Sequence, residues 1–305
     1  MDQLCWTTRW EVWRDLMGPT PSGPQRRRVN AFLQTRPALL YWGDSWFSTP
    51  LYLNLARQSL LRIDGMAMLV GKPGAMASEL FTDAHIDTMV GRMLGSPFDV
   101  LCLSAGGNDK LSERLARSFR AWQPPRAQPK IDAATAFALL DAVDGFAPVR
   151  ARYEALLTAI RRRVLPRRPG FRVVGHTYAP LQRIGAAADL TVQNIGLIAW
   201  LKGEIGPWLW TPMQHVLPDL VEGKRFADLL LFQGFRDQVL APLAAPNAFG
   251  DFFSYADFED FAPAAQATFW HDEIHPTESG FAKLAVPFNA AVQRVLPGSK
   301  QAAVQ

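Results

Sequence analysis

The chain has 305 residues, of which 49% are hydrophobic and 20% are charged. This composition is ordinary for a globular protein and leaves enough apolar residues for one large α/β domain, with or without a sizeable insertion. The formal net charge of only +4 argues against a dedicated nucleic-acid-binding protein, so no nucleic-acid partner is expected.

Neither a membrane span nor an export signal is expected. No stretch of about 18 apolar residues is present, and the first residues include Asp2, Arg9 and Glu11 instead of an apolar signal segment. Cys102 stands in the apolar run 100–103, which predicts a reduced thiol in the core. These features predict a cytoplasmic protein, and nothing in the sequence indicates its oligomeric state.

Residues 1–35 are predicted to form an N-terminal helix and a linker ahead of the main domain. Trp6, Trp10 and Trp13 recur at helical spacing within residues 2–17. The helix is expected to pack on the body of the protein, and docking to a membrane or a partner is the competing interpretation. The stretch that follows, rich in proline and arginine, is expected to be a solvated linker.

The central motif is a Gly-Asp-Ser turn that follows an apolar run. Residues 38–42 have the length and composition of a buried strand, and a segment with helical spacing follows Pro50. A strand that ends at Gly43 and turns into a helix places Ser45 at the carboxyl edge of a sheet, where ligands bind in open α/β folds. Ser45 is therefore a candidate nucleophile. The simpler interpretation is that Asp44 or Ser45 only caps the helix.

Two further apolar runs end in glycine-rich turns. Residues 66–70 and 98–104 are typical of short buried strands. The first leads into a turn with Gly71 and Gly74, where the backbone can approach a ligand closely. The second leads into Gly-Gly-Asn, and the amide of Asn108 can donate a hydrogen bond to an oxyanion. Taken singly, each turn is equally well explained as a tight connection between a strand and a helix.

A fourth strand, predicted over residues 171–178, brings His176 to the same edge, either as a pocket residue or as a hydrogen-bonded structural histidine. Residues 185–250 are the least regular part of the chain and are predicted to be an insertion. Within it, the aromatic segment 195–210, which includes Trp208, is either a cover that grips an apolar substrate group or ordinary packing. A helix is expected over residues 226–243, and a fifth strand over residues 252–255.

The last motif places a carboxylate and an imidazole three residues apart, ahead of a final helix. Pro276 disfavours helix at His275, so Asp272 and His275 are expected on a loop. There the carboxylate can hold one ring nitrogen while the other takes a proton from a serine hydroxyl. A metal site built on His271 and His275 is the competing chemistry, although that spacing needs a helix to aim both rings at one ion. Purely structural histidines are the third interpretation.

Three of these motifs together resemble sequence blocks of the SGNH hydrolases, also called the GDSL esterase/lipase family. They are Gly43-Asp44-Ser45, Gly106-x-Asn108-Asp109 and Asp272-x-x-His275, in that order. The resemblance extends over about residues 36–295. The sequence departs from the four-letter name of the family at Trp46, which stands where leucine is usual.

The resemblance implies a three-layer α/β/α sandwich with a parallel, flavodoxin-like five-stranded sheet of strand order 2-1-3-4-5. The hydrolase domain is expected over residues 36–305, with the irregular insertion around residues 185–250. No metal or organic cofactor is implied.

The resemblance also implies ester hydrolysis through an acyl-enzyme. Ser45 would be the nucleophile, His275 the base, and Asp272 the residue that orients the imidazole. The backbone N–H groups of Ser45 and Gly74, with the side chain of Asn108, would form the oxyanion hole. Gly71 is the alternative glycine in that second block.

The motifs do not name the substrate. Esters of small molecules or of lipids are expected, and deacetylation of a carbohydrate is one candidate reaction. Trp46, His176 and Trp208 are the candidate substrate contacts. The alternatives are a non-catalytic binding protein on the same fold and a metal-assisted hydrolase that uses His271 and His275.

Overall fold

A parallel β-sheet forms the centre of the molecule. The computed structural model describes residues 5–18, 20, 22–50, 52–187, 206–261 and 268–305. In chain order the strands found there are Cys5–Thr7 (β1), Ala38–Gly43 (β2), Met66–Gly71 (β3), Val100–Ser104 (β4), Arg172–His176 (β5) and Phe253–Ala256 (β6). They pair in the order β1-β3-β2-β4-β5-β6, and each neighbouring pair is parallel.

Strands β2 to β6 are the five strands that the sequence predicts. Counted from β2, their order is 2-1-3-4-5, so the prediction of a parallel, flavodoxin-like sheet is confirmed. Gly43 at the end of β2 lies opposite Gly71 of β3 on one side and Ser104 of β4 on the other. The three central strands therefore end at one edge, and the three motif-bearing turns begin there.

The edge strand β1 is not anticipated by the sequence analysis. Trp6 pairs with Ala67 of β3, and helix begins only with the segment Trp10–Met17. The expectation of helix over residues 2–17 is therefore wrong at residues 5–7. Tryptophan spacing fits a helix, but the open edge of β3 offers backbone hydrogen bonds that no local sequence pattern reveals.

Helices connect the strands and cover both faces of the sheet, as the predicted α/β/α sandwich requires. Within the described residues the α-helices are Trp10–Met17 (α1), Pro24–Phe32 (α2), Ser45–Ser48 (α3), Leu55–Leu60 (α4), Ala77–Leu80 (α5), Asp83–Gly95 (α6), Ser112–Ser118 (α7), Ala133–Asp144 (α8), Ala147–Ala159 (α9), Trp210–Met213 (α10), Leu220–Asp228 (α11), Ala241–Leu243 (α12), Glu278–Val295 (α13) and Gly298–Gln301 (α14). Helix α13 contacts α4, β5 and β6, whereas α9 contacts α5 and α6. No helix among the described residues is both long enough and apolar enough to cross a bilayer.

Neighbouring residues of β2 show how the two helical layers hold the sheet. The ring of Tyr41 lies 6.3 Å from that of Phe288 in α13, and its hydroxyl is 2.8 Å from the Ser59 hydroxyl. The next residue, Trp42, packs edge-to-face on Phe81 at 5.0 Å. Successive side chains of a strand point to opposite faces, so both faces of β2 are buried and the strand reads as a continuous apolar run.

The N-terminal segment packs against the body of the protein. Trp13 is buried, stacks on Phe98 with ring centroids 4.6 Å apart, and donates a 3.0 Å hydrogen bond to the Ser96 hydroxyl. Residues 19–28, expected to be a linker, contain the start of α2 instead. Pro24 is the first residue of this helix, a position where the missing N–H of proline costs nothing.

The predicted insertion is more helical than its composition suggests. A continuous helical run extends from Leu220 to Leu243, and its middle part, Leu229–Leu240, is π-helical. This confirms the helix expected over residues 226–243. Most of the aromatic segment 195–210 lies outside the described residues, and Trp208 is in its described part.

Candidate active site

The turn after β2 presents Ser45 at the edge of the sheet. Gly43 is required there because a Cβ atom on it would lie 2.6 Å from the backbone oxygen of Ser104. Asp44 caps α3 by accepting the N–H of Trp46 at 3.0 Å. Capping is therefore the role of Asp44, and the hydroxyl of Ser45 is left for other partners.

The Asp44 carboxylate is itself buried among hydrogen-bond donors. It accepts the Ser104 hydroxyl at 2.7 Å and the Tyr178 hydroxyl at 2.5 Å, besides the N–H of Trp46. Burial raises the pKa of Asp44, and these donors offset part of that rise. Sequence reasoning missed Ser104 and Tyr178, whose partner stands far away in the chain.

Three side chains from opposite ends of the chain form one series of hydrogen bonds. The Oγ atom of Ser45 lies 3.0 Å from Nε2 of His275. On the other side of the ring, Nδ1 of His275 lies 2.9 Å from Oδ2 of Asp272. All three residues are buried. The structure thus brings together the three residues that the sequence analysis singled out in its first and last motifs.

The loop before α13 explains the spacing of Asp272 and His275. The Oδ1 atom of Asp272 accepts the backbone N–H groups of Ile274 at 2.9 Å and of His275 at 2.8 Å, so the carboxylate folds over the turn. Burial opposes ionisation, but the imidazole of His275 and the nearby His271 hold the pKa of Asp272 well below its usual range. The carboxylate next to the His275 ring is therefore ionised at neutral pH.

A cleft of about 460 Å³ opens beside Ser45, and Gly74, Asn108, Trp208 and His275 also line it. Gly74 has a φ of 72°, a conformation that favours glycine. Within the described residues, neither its N–H nor that of Ser45 donates a hydrogen bond. The Asn108 side chain is fixed by donating from Nδ2 to the carbonyl of Ala75 at 3.1 Å.

The alternative glycine stands elsewhere. A Cβ atom on Gly71 would meet the backbone oxygen of Gly43 at 1.9 Å, so this glycine permits close packing of β3 on β2. In the part of the chain that the structure describes, Gly74 and not Gly71 lines the cleft.

The three candidate substrate contacts have different surroundings. The ring of Trp208 lies edge-to-face with that of His275, at a centroid distance of 5.5 Å, and faces the cleft. Trp46 is buried and lines a second, smaller cavity next to Ser45. His176 stacks on Trp46 at 5.5 Å and lines neither cavity as far as the chain is described. Its Nδ1 is 2.7 Å from the carbonyl oxygen of Thr177, and burial lowers the pKa of His176 to about 4.

Asp109, the last residue of the Gly106-x-Asn108-Asp109 motif, has a structural partner. It accepts the backbone N–H of Ala77 at 2.8 Å and so ties the turn after β4 to the start of α5. Burial raises the pKa of Asp109 to about 6.

The histidine pair considered for a metal site flanks one carboxylate. Nδ1 of His271 lies 3.7 Å from Oδ2 of Asp272, the same oxygen that His275 contacts. Over the described ranges, no three His, Cys, Asp or Glu side chains are grouped so that they could hold a metal ion.

Glu273 is a further residue that sequence reasoning missed. It is fully buried, and its carboxylate accepts the backbone N–H groups of Gly185, Leu209 and Trp210 at 3.0, 2.7 and 3.0 Å. Burial raises the pKa of Glu273, and these three donors oppose the rise. Glu273 thus connects the Asp272–His275 loop to Gly185 and to the two residues that follow Trp208.

The likeness of this chain to known proteins is confined to solved structures of low sequence identity. No family model matches the sequence, and no curated protein matches it. Among solved structures, the chain is similar to a protein described as a GDSL-like lipase from Parabacteroides merdae, with 14% identity, a TM-score of 0.45, and coverage of 84% of this chain and 95% of that one. A phospholipase A1 from Streptomyces albidoflavus has 15% identity and a TM-score of 0.44, with coverage of 84% of this chain and 99% of that one.

A carbohydrate esterase family 3 protein from Talaromyces cellulolyticus is also similar, with 12% identity, a TM-score of 0.41, and coverage of 85% of this chain and 98% of that one.

Proposed function

We propose that this chain is a carboxylic ester hydrolase of the SGNH type, which works through a covalent acyl-enzyme on Ser45. The observation that carries the proposal is the continuous series from the Ser45 hydroxyl through the His275 ring to the Asp272 carboxylate, with contacts of 3.0 and 2.9 Å. A nucleophile, a base and a group that orients the base are the parts that acyl transfer needs.

The first half of the reaction follows from this geometry. Ser45 Oγ attacks the ester carbonyl carbon while its proton passes to Nε2 of His275. The carbonyl oxygen becomes an oxyanion, and His275 then gives the proton to the alcohol oxygen as the bond between that oxygen and the carbonyl carbon breaks. Asp272, ionised because its pKa is low, stabilises the imidazolium and keeps Nδ1 protonated.

The second half repeats these roles with water. His275 takes a proton from a water molecule that attacks the acyl carbon, and returns it to Ser45 Oγ as the acid leaves. Each atom of the ester and of the water is then accounted for in an alcohol and a carboxylic acid.

The oxyanion would be held by the backbone N–H groups of Ser45 and Gly74 and by the Asn108 amide. All three residues line the same cleft, and the two N–H groups are without acceptors among the described residues. The Asn108 amide carries a second N–H hydrogen besides the one given to Ala75. Preorganised donors of this kind stabilise charge that develops only in the transition state.

The test uses hydrolysis of p-nitrophenyl acetate by the purified protein and by Ser45→Ala and His275→Ala. Both substitutions should reduce kcat by at least about 10³-fold. Ser48→Ala is the matched control, because its hydroxyl lies in the same short helix and, among the described residues, donates to the carbonyl of Asp44 alone. Full activity in Ser45→Ala would overturn the mechanism.

Labelling with a fluorophosphonate probe separates the enzyme from a binding protein on the same fold. The native protein should label and Ser45→Ala should not. Loss of activity in a chelator, with recovery on adding zinc, would instead support the metal-assisted alternative.

A further inference from the structure

The second cavity next to Ser45 is small and lined mostly by buried residues. Its volume is about 40 Å³. A single water molecule needs about 10–15 Å³ of cavity volume, so the cavity has room for about three or four non-hydrogen atoms. Most of its lining is apolar, and besides Trp46 it includes Leu111, Leu181, Leu209, Leu230, Leu231 and Ile274.

The position of His275 distinguishes the two spaces. In the proposed reaction His275 must protonate the leaving alcohol, so the alcohol has to lie on the His275 side of Ser45. Within the described residues, the large cleft is lined by His275, Gly74 and Trp208, and none of these three lines the small cavity. Ser45 and Asn108 line both. The group left on Ser45 after the alcohol departs therefore points toward the small cavity.

The linings agree with this division. Charged side chains stand around the large cleft, which suits a polar alcohol better than an alkyl chain; they are Lys72, Glu79, Glu113, Arg114 and Arg117. Among the described residues that line the small cavity, Asp44 alone carries a charged group, and its carboxylate accepts three hydrogen bonds.

We infer that the small cavity is the acyl-binding site and that it admits only short, unsubstituted acyl groups, from acetyl to about butyryl. The inference rests on the proposed function and adds the substrate class to it. The alkyl part of a butyryl group has three carbon atoms, which is the size that the cavity holds.

The polar atoms at the cavity wall account for the exclusion of substituted acyl groups. The hydroxyl of Tyr178 donates to Asp44 and accepts the N–H of Gly107 at 3.2 Å. A hydroxyl or a charged group on the acyl chain would lose its hydrogen bonds to water without gaining a free hydrogen-bond partner in the small cavity.

Two of the residues that line the small cavity belong to the π-helical run Leu229–Leu240. Leu230 and Leu231 are both buried and both line it. Their neighbour Leu229 lines a separate surface cavity together with Phe232. The chain therefore provides a matched set of three consecutive leucines, of which two should set acyl length and one should not.

The experiment measures kcat/KM for p-nitrophenyl acetate, butyrate, hexanoate and octanoate. With the native protein we expect acetate and butyrate to be preferred over octanoate by roughly 10-fold or more. Leu231→Ala and Leu230→Ala should shift the preference toward hexanoate and octanoate. Leu229→Ala should keep the native profile.

A filling substitution tests the same wall in the opposite direction. Leu231→Phe should lose butyrate hydrolysis by roughly 10-fold relative to acetate, which guards against variants that fold poorly, since a misfolded protein loses both substrates together. Octanoate hydrolysed as fast as acetate by the native protein would overturn the inference. An unchanged profile in all of the well-folded cavity variants would do the same.

Failure of the proposed function has a different signature. In that case no ester of the series is hydrolysed and Ser45 takes no fluorophosphonate label. A labelled, active enzyme without chain-length selectivity would refute only the acyl-site inference.

Discussion

The carboxylate of Glu273 accepts the backbone N–H of Leu209 at 2.7 Å, and so connects the loop of Asp272 and His275 to the residue that follows Trp208. Glu273 and Leu209 are 64 residues apart in the chain, and the hydrogen bond between them is buried. A buried carboxylate that satisfies several N–H groups is costly to alter, because each abandoned donor loses its partner.

Glu273→Gln should lower both stability and catalysis. The amide keeps one acceptor oxygen but turns an NH₂ group toward a backbone donor, so at least one N–H group loses its acceptor. We expect unfolding free energy to fall by about 1–3 kcal/mol and KM to rise as Trp208 loses its fixed position. Thermal unfolding and kinetics on p-nitrophenyl acetate measure the two effects.

Glu222→Gln is the matched control for that variant. Glu222 accepts the backbone N–H of Ala133 at 2.7 Å, and it is not one of the described residues that line the cleft. It should lose stability without a change in KM, and an equal rise in KM in both variants would contradict a local role for Glu273.

Asp272→Asn should lower kcat by about 10³–10⁴-fold while leaving the fold intact, because the neutral amide no longer stabilises the imidazolium. The depressed pKa of Asp272 also predicts a stability effect. The carboxylate contributes stability above its unfolded pKa of about 4, and that stability is lost as the pH falls below this value. Urea unfolding between pH 7 and pH 3 should therefore be less pH-dependent in Asp272→Asn than in the native protein.

Asn108→Ala removes one proposed oxyanion donor. We expect kcat to fall by about 10²–10³-fold with little change in KM, because the donor acts mainly on charge that forms in the transition state. Steady-state kinetics on p-nitrophenyl acetate test this, and thermal unfolding shows that the turn is intact. A rise in KM with unchanged kcat would assign Asn108 to ground-state binding instead.

Asp109 gives a pH prediction of opposite sign. Its pKa in the folded protein is about 6, above the unfolded value of about 4. The native state therefore binds more protons over this interval, and the free energy of unfolding decreases as the pH rises from 4 to 6. Asp109→Asn should remove that part of the decrease while its carbonyl still accepts the N–H of Ala77. Urea unfolding at pH 4.5 and pH 7 should then differ less in the variant, and an identical pH slope would contradict the prediction.

Tyr178→Phe tests the hydrogen bonds that hold Asp44, the residue before the proposed nucleophile Ser45. It removes one of the donors to the buried Asp44 carboxylate, and we expect a loss of about 1–3 kcal/mol in unfolding free energy. Tyr153→Phe is the control, since its hydroxyl donates to the neutral carbonyl of Ala105 and its removal should cost less. Urea unfolding of the two variants gives the comparison.

The sequence is informative where function and local pattern coincide. The run that ends at Gly43 predicts both a central strand and the position of Ser45, and Pro276 predicts that His275 stands on a loop. The structure brings these residues within hydrogen-bond distance, while their catalytic roles stay predictions for the kinetic tests above.

The features that the sequence does not reveal depend on partners without a sequence signature. The Glu273 carboxylate accepts backbone N–H groups, which every residue other than proline possesses. Strand β1 forms because β3 has an open edge, and the tryptophan spacing that suggested a helix there serves packing in α1 instead. Tyr178 meets Asp44 only because β5 and β2 end at the same side of the sheet.

The π-helical run behind the small cavity has a consequence for how this scaffold can diverge. Its adjacent residues Leu230 and Leu231 both border that cavity. Deleting one residue of the run ahead of them would shift the side chains around the helix axis and change which of them face the cavity. The depth of the cavity would thus change through a single lost codon, with Ser45, Asp272 and His275 left unaltered.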